Sequence, residues 1–189
     1  MMAFSMRYFK RISLFIAICF LCFQAIASTG SIIIKSADLT LNGESYRLNA
    51  DLEIDLNEKI EEAINKGVNV TFLYEFTLVK PRTLWFDKEI TTTSTHISVS
   101  YHALSRQYLV SQNGRQTSHE ILSEAMIELV QLYDWKVLDK SMVNPDESYA
   151  ATLSVKLDQS KLPKAIQVES IGSENWSMVS EPYEWVPKL

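Results

Sequence analysis

Val70-Thr71-Phe72-Leu73-Tyr74-Glu75-Phe76-Thr77-Leu78 decides the fold class of this 189-residue chain. Val70, Phe72, Tyr74, Phe76 and Leu78 recur at period two, which puts five apolar side chains on one face of a strand and Thr71, Glu75 and Thr77 on the other. Pro81 ends the run, because it has no N–H to give to a ladder. Upstream, Tyr46, Leu48, Ala50, Leu52, Ile54 and Leu56 alternate with Arg47, Asn49, Asp51, Glu53 and Asp55, a second half-buried strand. It is joined to the apolar run Ile32 to Leu41 through Asn42-Gly43, a pair that tolerates the positive φ of a tight hairpin.

Downstream, strands are expected at Ile97 to His102, Gln107 to Ser111 and Tyr149 to Leu157, with a further turn at Asn113-Gly114. Two segments carry helical spacing instead. Asn57 is placed to cap a short helix bearing Ile60, Ala63 and Ile64, with Gly67 to end it. Ser118 is placed to cap a longer helix running to Leu132, where Ile121, Leu122, Ala125, Met126, Leu129 and Val130 form a stripe opposite Glu120, Glu124 and Glu128. The expected fold is α+β: mainly antiparallel β, a β-sandwich, with two helices packed on it. An eight-stranded outer-membrane barrel also suits the length, but a barrel needs lipid-facing alternation in every strand and leaves no place for the helix from Ser118.

The N-terminus supplies an address. Arg7, Lys10 and Arg11 precede the apolar run Ile12 to Ile26, and Ala25-Ile26-Ala27 stands before Ser28, the pattern of a secretory signal peptide over residues 1–27. A run of about fifteen residues spans roughly 22 Å, short of the ~30 Å hydrocarbon core, so cleavage is favoured over an inner-membrane anchor. Ile18 before Cys19 and Leu21 before Cys22 speak against lipoprotein processing, which wants a small residue there. The expected product is a single periplasmic or secreted domain over 28–189, with no membrane span after cleavage. That domain holds neither cysteine, so disulfides, iron–sulfur clusters and thiolate zinc sites are excluded from it. It keeps 15 of the 18 basic and all 23 acidic residues, a net charge of −8 that disfavours nucleic acid and anionic lipid as partners.

The chain has no G-x-S-x-G, P-loop, G-x-G-x-x-G or H-E-x-x-H motif. His96 and His102 share a strand face with Ser98 and Ser100, opposite Ile97, Val99 and Tyr101, but six residues of strand hold them roughly 20 Å apart, too far for one metal ion. Asp51, Glu53 and Asp55 echo a calcium loop, yet Leu56 stands where an EF-hand needs glycine, so the three read as a solvated face. No cofactor and no metal are expected. Trp85-Phe86 after Lys80-Pro81-Arg82, and Trp176, Met178, Tyr183 and Trp185 near the end, would form a ligand or partner surface if exposed together. The packing reading, favoured here, has these aromatics closing the ends of the core.

Ser100-Tyr101-His102-Ala103-Leu104-Ser105-Arg106-Gln107-Tyr108 resembles the signature of an exported bacterial family, domain of unknown function 4390. Gly67-Val68 before the long strand, Trp85 after Pro-Arg, Leu157-Asp158 before Leu162-Pro163-Lys164, and Trp176 with Ser180 extend the resemblance over the whole exported domain. The chain departs from that pattern at Ala103 and Ser105, where the family often carries Pro and Thr. The resemblance implies an exported envelope protein, often encoded near a sensor histidine kinase, and no assigned catalytic residue. The run itself reads as a hairpin with Tyr101 and Tyr108 on its strands and His102 and Arg106 near its tip.

Three functions follow. A non-enzymatic periplasmic binding or interaction module, an accessory to envelope sensing, leads, with Tyr101, His102, Arg106, Tyr108, Trp85 and Trp176 as the candidate ligand or partner surface. A hydrolase or transferase would be built on His102, Arg106 and a serine such as Ser100 or Ser105. A carrier would hold an apolar ligand between the sheet and the helix from Ser118.

Overall fold

The computed structural model describes residues 30–170 and 172–189; the signal-peptide reading of residues 1–27 lies outside them. β1 (Ser31–Asn42) and β2 (Ser45–Asp55) form the expected hairpin, with Gly43 at φ 61° in its turn. α1 (Glu58–Asn65) starts where Asn57 Oδ1 accepts the Ile60 N–H at 2.9 Å, and buries Ile60, Ala63 and Ile64. β3 (Val70–Lys80) then runs up the middle of the molecule, its Val70, Phe72, Tyr74, Phe76 and Leu78 fully buried. It stops at Pro81, as the missing N–H dictates.

β4 (Lys88–His102), β5 (Gln107–Gln112) and β6 (Arg115–His119) follow as a meander, then α2 (Leu122–Val130), β7 (Gln131–Asp139), β8 (Ala150–Leu157), α3 (Lys164–Ser170) and β9 (Tyr183–Trp185). Every strand pair is antiparallel. They make a three-stranded sheet, β1-β2-β7, and a six-stranded sheet, β6-β5-β4-β3-β8-β9. One hydrophobic core takes side chains from both, Ile32, Leu48 and Trp135 from the small sheet and Phe72, Ile97 and Leu153 from the large one. α2 packs between β2 and β7 on one side and β5 and β6 on the other.

Four expectations change. Ser118 is not a helix cap: it pairs with Leu109 inside β6, and α2 begins at Leu122. Arg115 to His119 carries no apolar alternation, because β6 is an edge strand held by its backbone ladder to β5 and by Glu128 of α2. The two Glu128 oxygens meet Thr117 Oγ1 at 2.8 Å and His119 Nε2 at 2.7 Å. Leu132 leaves the helix for β7, and a third helix, α3, follows Pro163, whose fixed φ suits a first helical turn. β4 also extends back through Thr91-Thr92-Thr93-Ser94-Thr95, a polar run that pairs residue by residue with β3.

Candidate functional site

The signature segment is the β4–β5 hairpin. Tyr101 pairs with Tyr108 across the two strands, their rings 5.0 Å apart. Tyr108 Oη donates to Asn65 Oδ1 at 2.7 Å, which ties the hairpin to the last residue of α1. Burial raises the Tyr108 phenol pKa, with Tyr101 and Glu61 adding to the shift. Gly67 completes this junction: it sits at φ 85°, and a Cβ there would stand 3.2 Å from the Tyr101 carbonyl oxygen. Only glycine meets both conditions without strain. Thus Gly67, Tyr101 and Tyr108 dock a helix end on a hairpin.

At the tip, the Arg106 N–H donates to the His102 carbonyl at 2.8 Å with Arg106 at φ 57°. His102 Nδ1 lies 2.9 Å from Ser105 Oγ and accepts the Ser105 N–H at 3.3 Å. His102, Ser105 and Arg106 are exposed, and Arg106 has no ion pair among the described residues.

Trp85 is elsewhere. It belongs to the β3–β4 connection at the start of β4, whereas the signature hairpin closes the other end of that 15-residue strand. At ~3.3 Å per residue the two lie roughly 46 Å apart. Leu84, Trp85 and Phe86 are 89%, 80% and 95% exposed, which corrects the expectation that these aromatics pack into the core. The loop is nevertheless shaped: Asp87 Oδ1 accepts the Arg82 N–H at 3.0 Å, and Lys80 meets Glu147 at 2.7 Å at its base. Lys80, together with a hydrogen bond from Tyr149, holds the Glu147 carboxyl below the usual carboxylate range.

Trp176 and Met178 do plug the core, each 1% exposed. Their segment is fixed by Gln159 Nε2 donating to the Trp176 carbonyl at 2.9 Å and by Asn57 Nδ2 donating to the Asn175 carbonyl at 2.7 Å. Ser180 closes the same region, its Oγ accepting the Val155 N–H at 3.0 Å. Asp158 lies beside it: burial alone would raise its carboxyl pKa, but hydrogen bonds from Ser160 and the neighbouring His96 outweigh that and lower it. The six candidate residues therefore fall into three places rather than one: a hairpin, a distant loop and the core.

A family model described as domain of unknown function (DUF4390) matches residues 29–186. The chain belongs to this family. No curated protein and no solved structure is significantly similar to it. The DUF4390 features at Gly67, Tyr101, Tyr108, Leu157-Asp158, Trp176 and Ser180 thus have architectural contacts, whereas Trp85 has none that explains an exposed indole. Among the described residues no cluster of His, Cys, Asp and Glu is arranged to hold a metal, and no helix is long and apolar enough to cross a membrane.

The sequence reading missed a polar cleft of about 470 Å³ between the two sheets, lined by Arg47, Asn113, Arg115, Tyr133, Asp134 and Lys136 among others. Its available signal was the Tyr133-Asp134 pair, which interrupts the apolar run between Leu132 and Trp135. That interruption is a β-bulge.

Proposed function

We propose that this protein is an exported, non-enzymatic interaction module of the bacterial envelope, docking on a protein partner through Leu84, Trp85 and Phe86. The observation that carries this reading is the exposure of three consecutive large apolar side chains on a loop whose backbone is pinned by Asp87 and whose base is pinned by Lys80 and Glu147. Burying such side chains is worth roughly 1.5–3 kcal/mol each, and a rigid aromatic anchor loses little conformational entropy on docking. The rim mixes Lys80, Arg82 and Lys88 with Asp87, Glu89 and Glu147, a pattern suited to a protein surface more than to an anionic bilayer. The signal-like residues 1–27 support export, and an envelope sensor histidine kinase is the partner class that the family resemblance implies.

The hydrolase reading finds a His102–Ser105 contact, but both side chains sit exposed on a turn, where Nδ1 is already accepting a backbone N–H. The carrier reading finds the face of α2 filled: Ala125 and Leu129 are fully buried, and Tyr74 donates to the Leu129 carbonyl. A photoreactive phenylalanine analogue in place of Trp85, irradiated in living cells, is expected to form a discrete protein adduct, while the same probe at Thr40 on β1 forms none. Absence of a protein adduct at position 85, or an adduct with lipid alone, would overturn the reading.

A further inference from the structure

The cleft between the sheets is built with unusual backbone. β2 and β7 pair in register at Leu48–Trp135 and again at Ala50–Leu132, so Tyr133 and Asp134 together face Asn49. Asp134 takes up the extra residue at φ 54°, a left-handed conformation that few non-glycine residues adopt, and its N–H donates to Asn49 Oδ1 at 3.0 Å. The bulge brings the Asp134 carbonyl to 3.1 Å and its Oδ2 to 3.4 Å from Arg47 Nη1. Arg47 Nε, in contrast, is buried with no hydrogen-bond partner. A guanidinium tethered at one nitrogen and unsatisfied at another gains a bond when an acceptor draws its fork outward.

Across the cleft, the Asn113-Gly114 turn of the β5–β6 hairpin presents Arg115, exposed and without an ion pair among the described residues. Lys136, facing Arg47 in the register, adds a third cation, itself paired with Asp139 at 2.8 Å. Asp134 is the single carboxylate in the lining. In a domain with a net charge of −8 this is a local positive focus, and the 59% exposed ring of Tyr133 stands in its wall. Guanidinium forks match carboxylates, an amide such as Asn113 reads hydroxyls, and an aromatic face stacks on the apolar side of a ring.

We propose that this cleft binds an acidic saccharide, with Arg47 and Arg115 holding its carboxylate and Tyr133 its ring. The site uses elements other than the β3–β4 loop, so it stands or falls independently of partner docking.

The test is a nuclear magnetic resonance titration of the isotope-labelled protein, purified after export, with D-glucuronate, D-glucose and inorganic phosphate in parallel. Glucuronate is expected to give saturable shifts at Asn113, Arg115 and Tyr133, while glucose gives none. Arg115→Gln is expected to weaken glucuronate binding roughly tenfold or more, as loss of a charge-assisted bond does. Tyr133→Ala should weaken it too, whereas Arg82→Gln on the distant loop should leave it unchanged. No saturable shift with glucuronate, or equal binding of glucose, overturns the proposal. Phosphate binding as tight as glucuronate, or Arg82→Gln weakening glucuronate as much as Arg115→Gln, overturns the saccharide assignment in favour of unspecific anion attraction.

Discussion

Replacing Tyr74 by phenylalanine isolates one oxygen at the centre of the molecule. Tyr74 is fully buried on β3, and its Oη donates to the Leu129 carbonyl at 2.5 Å. Leu129 lies in the last turn of α2, where the chain passes directly into β7 and no further helical turn can use that carbonyl. The phenol therefore acts as a buried cap for the end of α2. Tyr74→Phe keeps the ring and removes the donor, leaving a buried acceptor unsatisfied, at a cost of about 1–3 kcal/mol. For a domain of this size that lowers Tm by roughly 2–4 °C per kcal/mol.

Alkaline pH gives an independent readout of the same group. Burial pushes the Tyr74 phenol far above its ordinary value of 10.0. A group whose folded pKa is raised contributes stability below the unfolded pKa and loses it as pH climbs, because the unfolded chain ionises first. Above about pH 10 this residue alone should therefore reduce stability by ~1.4 kcal/mol per pH unit, and Tyr74→Phe should remove that part of the slope. Urea unfolding at pH 7 and at two alkaline pH values measures both effects, with Tyr133→Phe on the surface as a control expected to change little. If Tyr74→Phe were as stable as the parent at pH 7 and kept the full alkaline slope, the cap reasoning would be refuted.

Other substitutions probe the junctions around the signature. Asn57→Ala removes the acceptor for the Ile60 N–H and the donor to the Asn175 carbonyl, and should cost about 1–2 kcal/mol by urea unfolding, while Asn57→Asp recovers the cap alone. Gly67→Ala places a side chain at φ 85° against the Tyr101 carbonyl and should cost roughly 1–2 kcal/mol, read as a lower Tm; Gly67→Asn should cost less. His96→Gln takes a partner from Asp158, whose carboxyl titration, followed by nuclear magnetic resonance, should move up in pH. Because a lowered folded pKa gives stability that is present above the unfolded pKa and lost as pH falls to the folded one, the acid-side loss tied to Asp158 should be smaller in that variant and complete at a higher pH.

The sequence by itself determined the parts whose physics is local. Alternation from Val70 to Leu78 marked the central strand because a strand sends successive side chains to opposite faces, and burial selects the apolar set. Asn42-Gly43 and Asn57 marked a turn and a cap because a positive φ and an unpaired helical N–H each call for particular residues. The signature likewise reads as a hairpin, and residues 29–186 carry the family pattern. What tertiary structure decided was everything set by a neighbour distant in the chain. β6 is a strand because β5 offers a ladder to a polar run, and Ser118 therefore pairs instead of capping. Trp85 and Trp176 are both tryptophans after turn-rich sequence, yet one tops a loop where no element covers it and the other fills the space between α1 and the end of β8. Arg47, Asp134 and Arg115, 87 residues apart at their widest separation, share a cleft only because a bulge in β7 turns the backbone toward β2. Periodicity records which face of an element is buried; it carries no information about which other element does the burying, and the candidate sites of this protein lie where that second question is answered.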